Sequence, residues 1–338
     1  MGVHRLSPSV GSDLYAKSEL QTLIPQDSST SLINYINNGL SNNVTKSVLL
    51  SASRYFDYVE ADGYTIETIN NTIFARKSFT STGSQTFNPG VFLNSFANVI
   101  VVGGGGAGAG WHGGGGGAGG VVHHPSFLIS GNITLIVGAG GAGHVNAPSS
   151  QIGSNGQDSV LGSLTAKGGG GGHSYNGNAG AQGGCGGGGG GNNNVTGPGG
   201  SSNQPSFTGA TVYGNAGGTA VSAGGSSGGG GGGATAVGNN GAGTARGGNG
   251  GAGVTILGNT YAGGGGGGDH GNAVGGGFGG SSIGGNGTSS SFNTGGNGLA
   301  NTGSGGGGTH NTGAQTGSGG SGIVVIRFPL IIPSSFGA

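Results

Sequence analysis

The chain has 338 residues, 95 of them glycine, with nine basic and nine acidic side chains and no formal net charge. One cysteine, Cys185, excludes an internal disulfide framework or a thiolate metal cluster. Beyond residue 77 there is no Lys/Arg cluster for nucleic acid, and nowhere a run of eighteen apolar residues for a membrane span.

Charge and glycine divide the chain. Residues 1–77 hold six of the basic and seven of the acidic side chains, while from Ser78 onward only Asp158, Lys167, Arg246, Asp269 and Arg327 are charged. Six glycines precede Gly103 and eighty-nine lie in the 236 residues from there on. This predicts an attachment or assembly region over 1–77, a glycine-rich domain over 78–328 and a short apolar tail over 329–338. The N-terminus lacks an apolar signal core, and Leu6 stands where a myristoylation pattern needs Ser or Thr, so the chain reads as soluble and without an export signal.

In chain order, Leu32, Ile36, Leu40, Val44 and Val48 fall at four-residue steps within 28–50, one apolar stripe of a short helix packed on a partner or a second copy. Ser28 or Ser29 can cap it, while Gly39 and the flanking Asn pairs weaken it. Residues 55–74 alternate loosely around Gly63, predicting a small hairpin. Residues 78–87 predict two short strands around a turn, Pro89-Gly90 a break, and 97–102 an apolar strand running into glycine. From there strand, glycine run and polar tip repeat: 133–137, then the near-copies 161–167 and 257–262, then a closing strand over 322–328.

Glycine loses more conformational freedom on folding than any other residue, so such runs need a reason to fold. A flexible linker would waste the β-branched strands between them. The runs are four to six residues long and are interrupted mostly by alanine, as if cut to one layer thickness. Collagen needs a strict glycine at every third position and far more than nine prolines. A bundle of polyglycine-II helices fits better: three residues per turn, no internal hydrogen bonds, and every N–H and C=O turned to a neighbour. The fold class expected is therefore mostly irregular and all-β, a polyglycine-II bundle flanked by short strands and preceded by a small α/β region.

Residues 99–106, 113–121, 133–141 and 319–328, with their strand-to-glycine junctions, resemble the glycine-rich domain of bacteriophage tail-fibre proteins. The resemblance covers roughly 78–328. Residues 14–20 are also loosely similar to an element common in phage fibre shafts. The resemblance implies a receptor-binding adhesin of the virion. Loops at the end of a polyglycine-II bundle would contact a host-surface glycan or outer-membrane protein, and residues 1–77 would contact other virion proteins. Threefold shafts, usual in fibres, are compatible with a homotrimer, while the stripe over 32–48 leaves stoichiometry open. The longer N-terminal region and the tail over 329–338 depart from the T-even adhesins and leave the mode of attachment open.

Sugar recognition favours an aromatic face beside neutral hydrogen-bonding groups. The segments between glycine runs supply these through Trp111, His112, His173, Tyr175, Phe207, Tyr213, His270, Phe292 and His310. For any one of them, capping a run against solvent is as good a reading; for the set, a binding tip is favoured. Seven of the eight histidines lie beyond residue 100, yet none shows metal-ligand spacing, and adjacent side chains such as His123 and His124 diverge on a strand. Gly-x-Gly-x-x-Gly recurs by chance in so much glycine and carries no nucleotide signal. Two carboxylates beyond residue 77 and a lone cysteine offer no catalytic set, so no enzyme and no cofactor is expected. The competing classes are a structural virion decoration or extracellular filament subunit and, more distantly, an ice-binding protein.

Overall fold

The computed structural model describes residues 63–69, 72–145, 152–175, 178–192, 195–222, 226–243, 246–269, 275–289, 294–310 and 313–330. Those residues are all-β and irregular. Their strands are β1 (Thr65–Ile69), β2 (Thr72–Phe79), β3 (Gly83–Phe87), β4 (Ser95–Val102), β5 (Val121–Ile129), β6 (Ile133–Val137) and β7 (Ser159–Leu161). There follow β8 (Leu164–Ala166), β9 (Gly191–Asn192), β10 (Val195–Thr196), β11 (Thr211–Tyr213), β12 (Val254–Ile256), β13 (Asn259–Tyr261) and β14 (Ile323–Pro329). Two 3-10 turns, Gly90–Phe92 and Gly280–Ser282, are the only helical elements among the described residues. The helix expected over 28–50 lies outside them. The chain divides into two compact units, Ser78–Ile326 and the remainder on either side.

In the smaller unit β1 and β2 form an antiparallel hairpin in which Ile69 stands opposite Thr72. The hairpin expected over 55–74 thus lies further along, and Gly63, expected as its turn, precedes β1 with a φ of +79°. Ile73 and Ala75 face inward on alternate positions of β2, and Tyr64 meets Phe328 edge-on at 6.1 Å between centroids. Beside them the Arg327 side chain is 0% exposed and its Nε donates to Glu67, whose other oxygen lies 3.8 Å from Arg76 Nη1. Removing one partner of a buried pair strands the other charge, at about 3–5 kcal/mol. Glu67→Ala is therefore expected to destabilise this unit by that amount in denaturant melts, and adding Arg327→Met to recover most of it.

In the larger unit the first half of β14, then β4, β5 and β11 lie side by side, and β3, β6, β7 and β8 form a second sheet. The two strands expected over 78–87 therefore do not pair with each other: β3 pairs with β6, with Gly83 opposite Val137. Val99 to Val102 are wholly buried, which is why this stretch of β4 reads as a continuous apolar run. The near-copies both fold as hairpins, with turns displaced by one residue. Leu161 faces Leu164 across Gly162, whereas Ile256 faces Asn259 across Leu257 and Gly258, both at positive φ as a type I′ turn needs.

Between these strands the glycine runs lie buried and, but for Gly191 in β9, outside any strand, joined to one another by backbone hydrogen bonds. The run 113–120 shows the rule. The N–H groups of Gly113, Gly116 and Gly119 donate to Thr309, Gly306 and Gly303, while those of Gly114, Gly117 and Gly120 donate to His173, Gly170 and Lys167. Gly115 and Ala118 donate to Gly229 and Gly232. Its carbonyls repeat the pattern. Gly114, Gly117 and Gly120 accept from Ala109, Gly106 and Gly103; Gly115 and Ala118 accept from Gly188 and Cys185; Gly113 and Gly116 accept from Gly268 and Gly265. Partners recur every third residue, so one run meets six neighbours, three through its donors and three through its acceptors. Five of them run antiparallel to it. The sixth, 229–232, runs parallel.

One end of this layer is oily. Val102 enters the run at 103, Ala166 precedes that at 168, and Ala262 precedes that at 263. There Ile100, Val102, Ala118, Val121, Cys185, Ala234, Tyr261, Ala262, Ile323 and Val325 share one buried cluster. The alanines at 118, 234 and 262 occur where a run passes into this cluster, so each methyl has an apolar place to go. Burial pushes the Cys185 thiol up from 9.0 to about 12, against a smaller lowering by the Asn215 backbone. A raised folded pKa contributes stability that is whole below about pH 9 and is lost as pH climbs from there, at up to about 1.4 kcal/mol per unit. Cys185 should therefore resist thiol reagents until the unit unfolds. Urea melts from pH 7 to 11 should show a steeper alkaline decline than Cys185→Ala does.

Candidate functional site

The other end of the layer is polar. Ala109 closes one run and Gly113 opens the next, antiparallel to it, so Gly110, Trp111 and His112 make the turn between them. Because 167–173 and 303–309 run antiparallel to 113–120, their last residues arrive at the same end. Ser227 leads into the parallel run and comes there by its start.

Trp111 and His112 take φ values of +44° and +49°. A side chain in that region costs roughly 1–2 kcal/mol, a cost glycine avoids. Two large rings on left-handed backbone must be held there by the surrounding structure. Tyr175, at the end of the neighbouring run, brings its ring to 4.9 Å from Trp111, tilted by 36°. His112 packs edge-on to Tyr175 at 5.8 Å and lies 5.5 Å from the His310 ring. Trp111 and Tyr175 are half-buried, whereas His112 and His310 are 4% and 8% exposed and form the floor.

The floor is held by backbone. The His112 N–H donates to the His310 carbonyl at 3.2 Å, and the His112 carbonyl accepts from Gly191 at 3.3 Å. The His310 N–H donates to Thr288 Oγ1 at 3.1 Å, and its Nδ1 lies against the Asp269 carbonyl oxygen. Asp269, wholly buried, bridges to Ser227 and donates its N–H to Thr288. The hydroxyls of Ser174, Ser227 and Thr309 are buried without a hydrogen-bond partner among the described residues. Each such group gives up about 1–3 kcal/mol, so polarity is kept at this end against stability. Among the described residues no three His, Cys, Asp or Glu side chains are grouped to hold a metal ion.

Of the nine residues singled out from sequence, Trp111, His112, Tyr175 and His310 thus form one cluster, with His173 two residues from Tyr175 on the same segment. Tyr213 lies elsewhere: it pairs with Val121 from β11 and packs against the oily cluster at the opposite end. Phe207 belongs with it, in the turn that leads into β11, where its carbonyl accepts from Ala210. His270 and Phe292 lie outside the described residues. Sequence reasoning missed Ser227, whose only signal was its place before the run at 228–233, and Thr288, which follows the single Gly287.

A family model for a glycine-rich domain matches residues 80–329, and the chain belongs to that family. Comparison with curated proteins finds no match. No helix among the described residues is long and apolar enough to cross a membrane.

Proposed function

We propose that this protein is a receptor-binding adhesin of a phage tail fibre, and that the half-buried rings of Trp111 and Tyr175 are its contact surface. The observation that carries this reading is the pair of half-buried rings, Trp111 on left-handed backbone and Tyr175 against it, at the polar end of a layer whose other end is closed by apolar packing. Such a pair suits the apolar face of a sugar ring, with neutral hydroxyl and imidazole groups beside it. The glycine runs are read as polyglycine-II threads. Partners recurring at every third residue match three residues per turn, and bonding outward on all sides matches a helix without internal hydrogen bonds. A layer of this kind is stiff without a large core, so it can hold the rings in place.

On this reading the protein is non-enzymatic and belongs to the virion, with residues 1–77 engaging other virion proteins and the homotrimer of fibre shafts as its assembly. Hold on the cell comes from several weak contacts per particle. The phage setting rests on the likeness of the strand-to-glycine junctions to tail-fibre domains. The test is competition. Purified full-length protein, added in excess to host cells, should block adsorption of the particle that carries it. Unimpeded adsorption would favour a decoration or filament subunit instead.

A further inference from the structure

A concavity reaches the floor of the ring cluster through Thr288. It encloses about 370 Å³ and is lined by Arg246, Phe278, Asn286, Thr288, Ser289 and Thr294, among others. Thr288 belongs to both places, since it lines this groove and its Oγ1 accepts the His310 N–H. We propose that the groove binds the carboxylate of an acidic saccharide, with Arg246 as the group that recognises it. The proposal rests on the glycan-binding reading above and names the class of sugar.

The arginine is prepositioned. Its Nε donates to the Gly276 carbonyl at 3.1 Å, and its guanidinium carbon lies 3.8 Å from the centre of the Phe278 ring. One hydrogen bond and one stacked face fix the plane of the fork and leave its two terminal nitrogens to a ligand. A planar fork of this kind matches a carboxylate through two parallel hydrogen bonds. The electrostatics agree. Among the described residues the ion pairs join Glu67 to Arg76 and Arg327, and Asp158 to Lys167, so Arg246 has no carboxylate partner. In the larger unit it is thus a fixed, half-buried cation on a surface otherwise nearly free of charge.

The rest of the lining is amide, hydroxyl and glycine backbone, which hydrogen-bonds to sugar hydroxyls without adding charge. The volume lies at the lower end for small-ligand sites and suits one or two sugar rings. One positive charge balances one carboxylate. A phosphate monoester, at about −1.5 to −2, would be left partly unneutralised in a site with no lysine and no second arginine.

The experiment offers full-length protein a panel of uronate- and sialate-bearing oligosaccharides. Each is paired with its methyl ester, which keeps the skeleton and removes the charge, and inorganic phosphate is the competitor. The acids should bind at least ten-fold more tightly than the esters, and the difference should shrink as NaCl rises. Arg246→Gln should erase the difference while leaving ester binding, and the protection of Cys185, unchanged. Arg246→Lys should keep a fraction of it. Equal binding of acid and ester to the unaltered protein overturns the carboxylate site, even if Arg246→Gln cannot be folded. In that case loss of both ligands on changing Trp111 and Tyr175 would leave the adhesin reading standing. Phosphate competing as well as the acidic sugar overturns the saccharide assignment in favour of a general anion site. No saccharide binding, with adsorption still blocked by the protein, overturns the proposal and directs the adhesin to a protein receptor.

Discussion

Replacing Gly116 by alanine is expected to abolish cooperative folding of the larger unit. A Cβ at that position would stand 2.1 Å from the Gly106 carbonyl oxygen, 2.5 Å from its carbon and 2.8 Å from the Ala107 carbonyl carbon. All three atoms are backbone, so no side chain can rotate away. Overpacking in an ordinary core costs about 1–3 kcal/mol because rotamers absorb part of it. Here the neighbouring segment must move, and with it the bonds it makes to its own neighbours. A loss above about 4–5 kcal/mol follows, comparable with the whole stability of many domains. Gly131→Ala is the control, because a Cβ there meets nothing within 4 Å. The measurements are a thermal melt and the labelling rate of Cys185. A cooperative melt for Gly116→Ala within about 1 kcal/mol of the parent would show that the runs are not packed as described.

The second large effect is on binding. Trp111→Ala combined with Tyr175→Ala should abolish the ability of the protein to block adsorption, since both half-buried rings of the cluster are removed. The same pair of rings contributes only about 0.5–1.5 kcal/mol to folding beyond its buried area. Trp111→Gly sharpens the distinction. It deletes the ring but also relieves the left-handed backbone, a gain of roughly 1–2 kcal/mol. Its stability should therefore stay within about 1 kcal/mol of the parent while its binding falls. Retained blocking by the double variant would remove the ring cluster from the contact surface.

Much of the strand content could be read from the chain. The apolar stretch over 97–102 announces β4 and the run at 133–137 announces β6, whereas the near-copies at 161–167 and 257–262, each expected as a strand, are the turn and second strand of a hairpin. What could not be read is which glycine run lies beside which. Side chains normally carry that information, and a run such as 113–117 has none. Its neighbours are chosen by what stands at its two ends, Trp111 and His112 on one side and Ala118 to Val121 on the other. The cluster was legible only in part for the same reason. Trp111 and Tyr175 are far apart in sequence, and only the pairing of their runs brings their rings to 4.9 Å. Tyr213 stands apart from the cluster because Thr211-Val212-Tyr213 forms a short strand against β5, at the other end of the layer. The segment over 78–87 looked like one hairpin because sequence shows a turn without showing that the chain leaves one sheet for another there.

The recurrence of partners at every third residue has a consequence for how such molecules change over generations. A run lengthened or shortened by three residues returns each amide to the same neighbour, so the shift can pass along the bundle. One or two residues would rotate every group past its partner. Viable insertions and deletions inside runs should therefore come in triplets. Connecting loops, which carry no such phase, are free to drift in length and composition. Scaffold and contact surface can thus diversify on separate clocks.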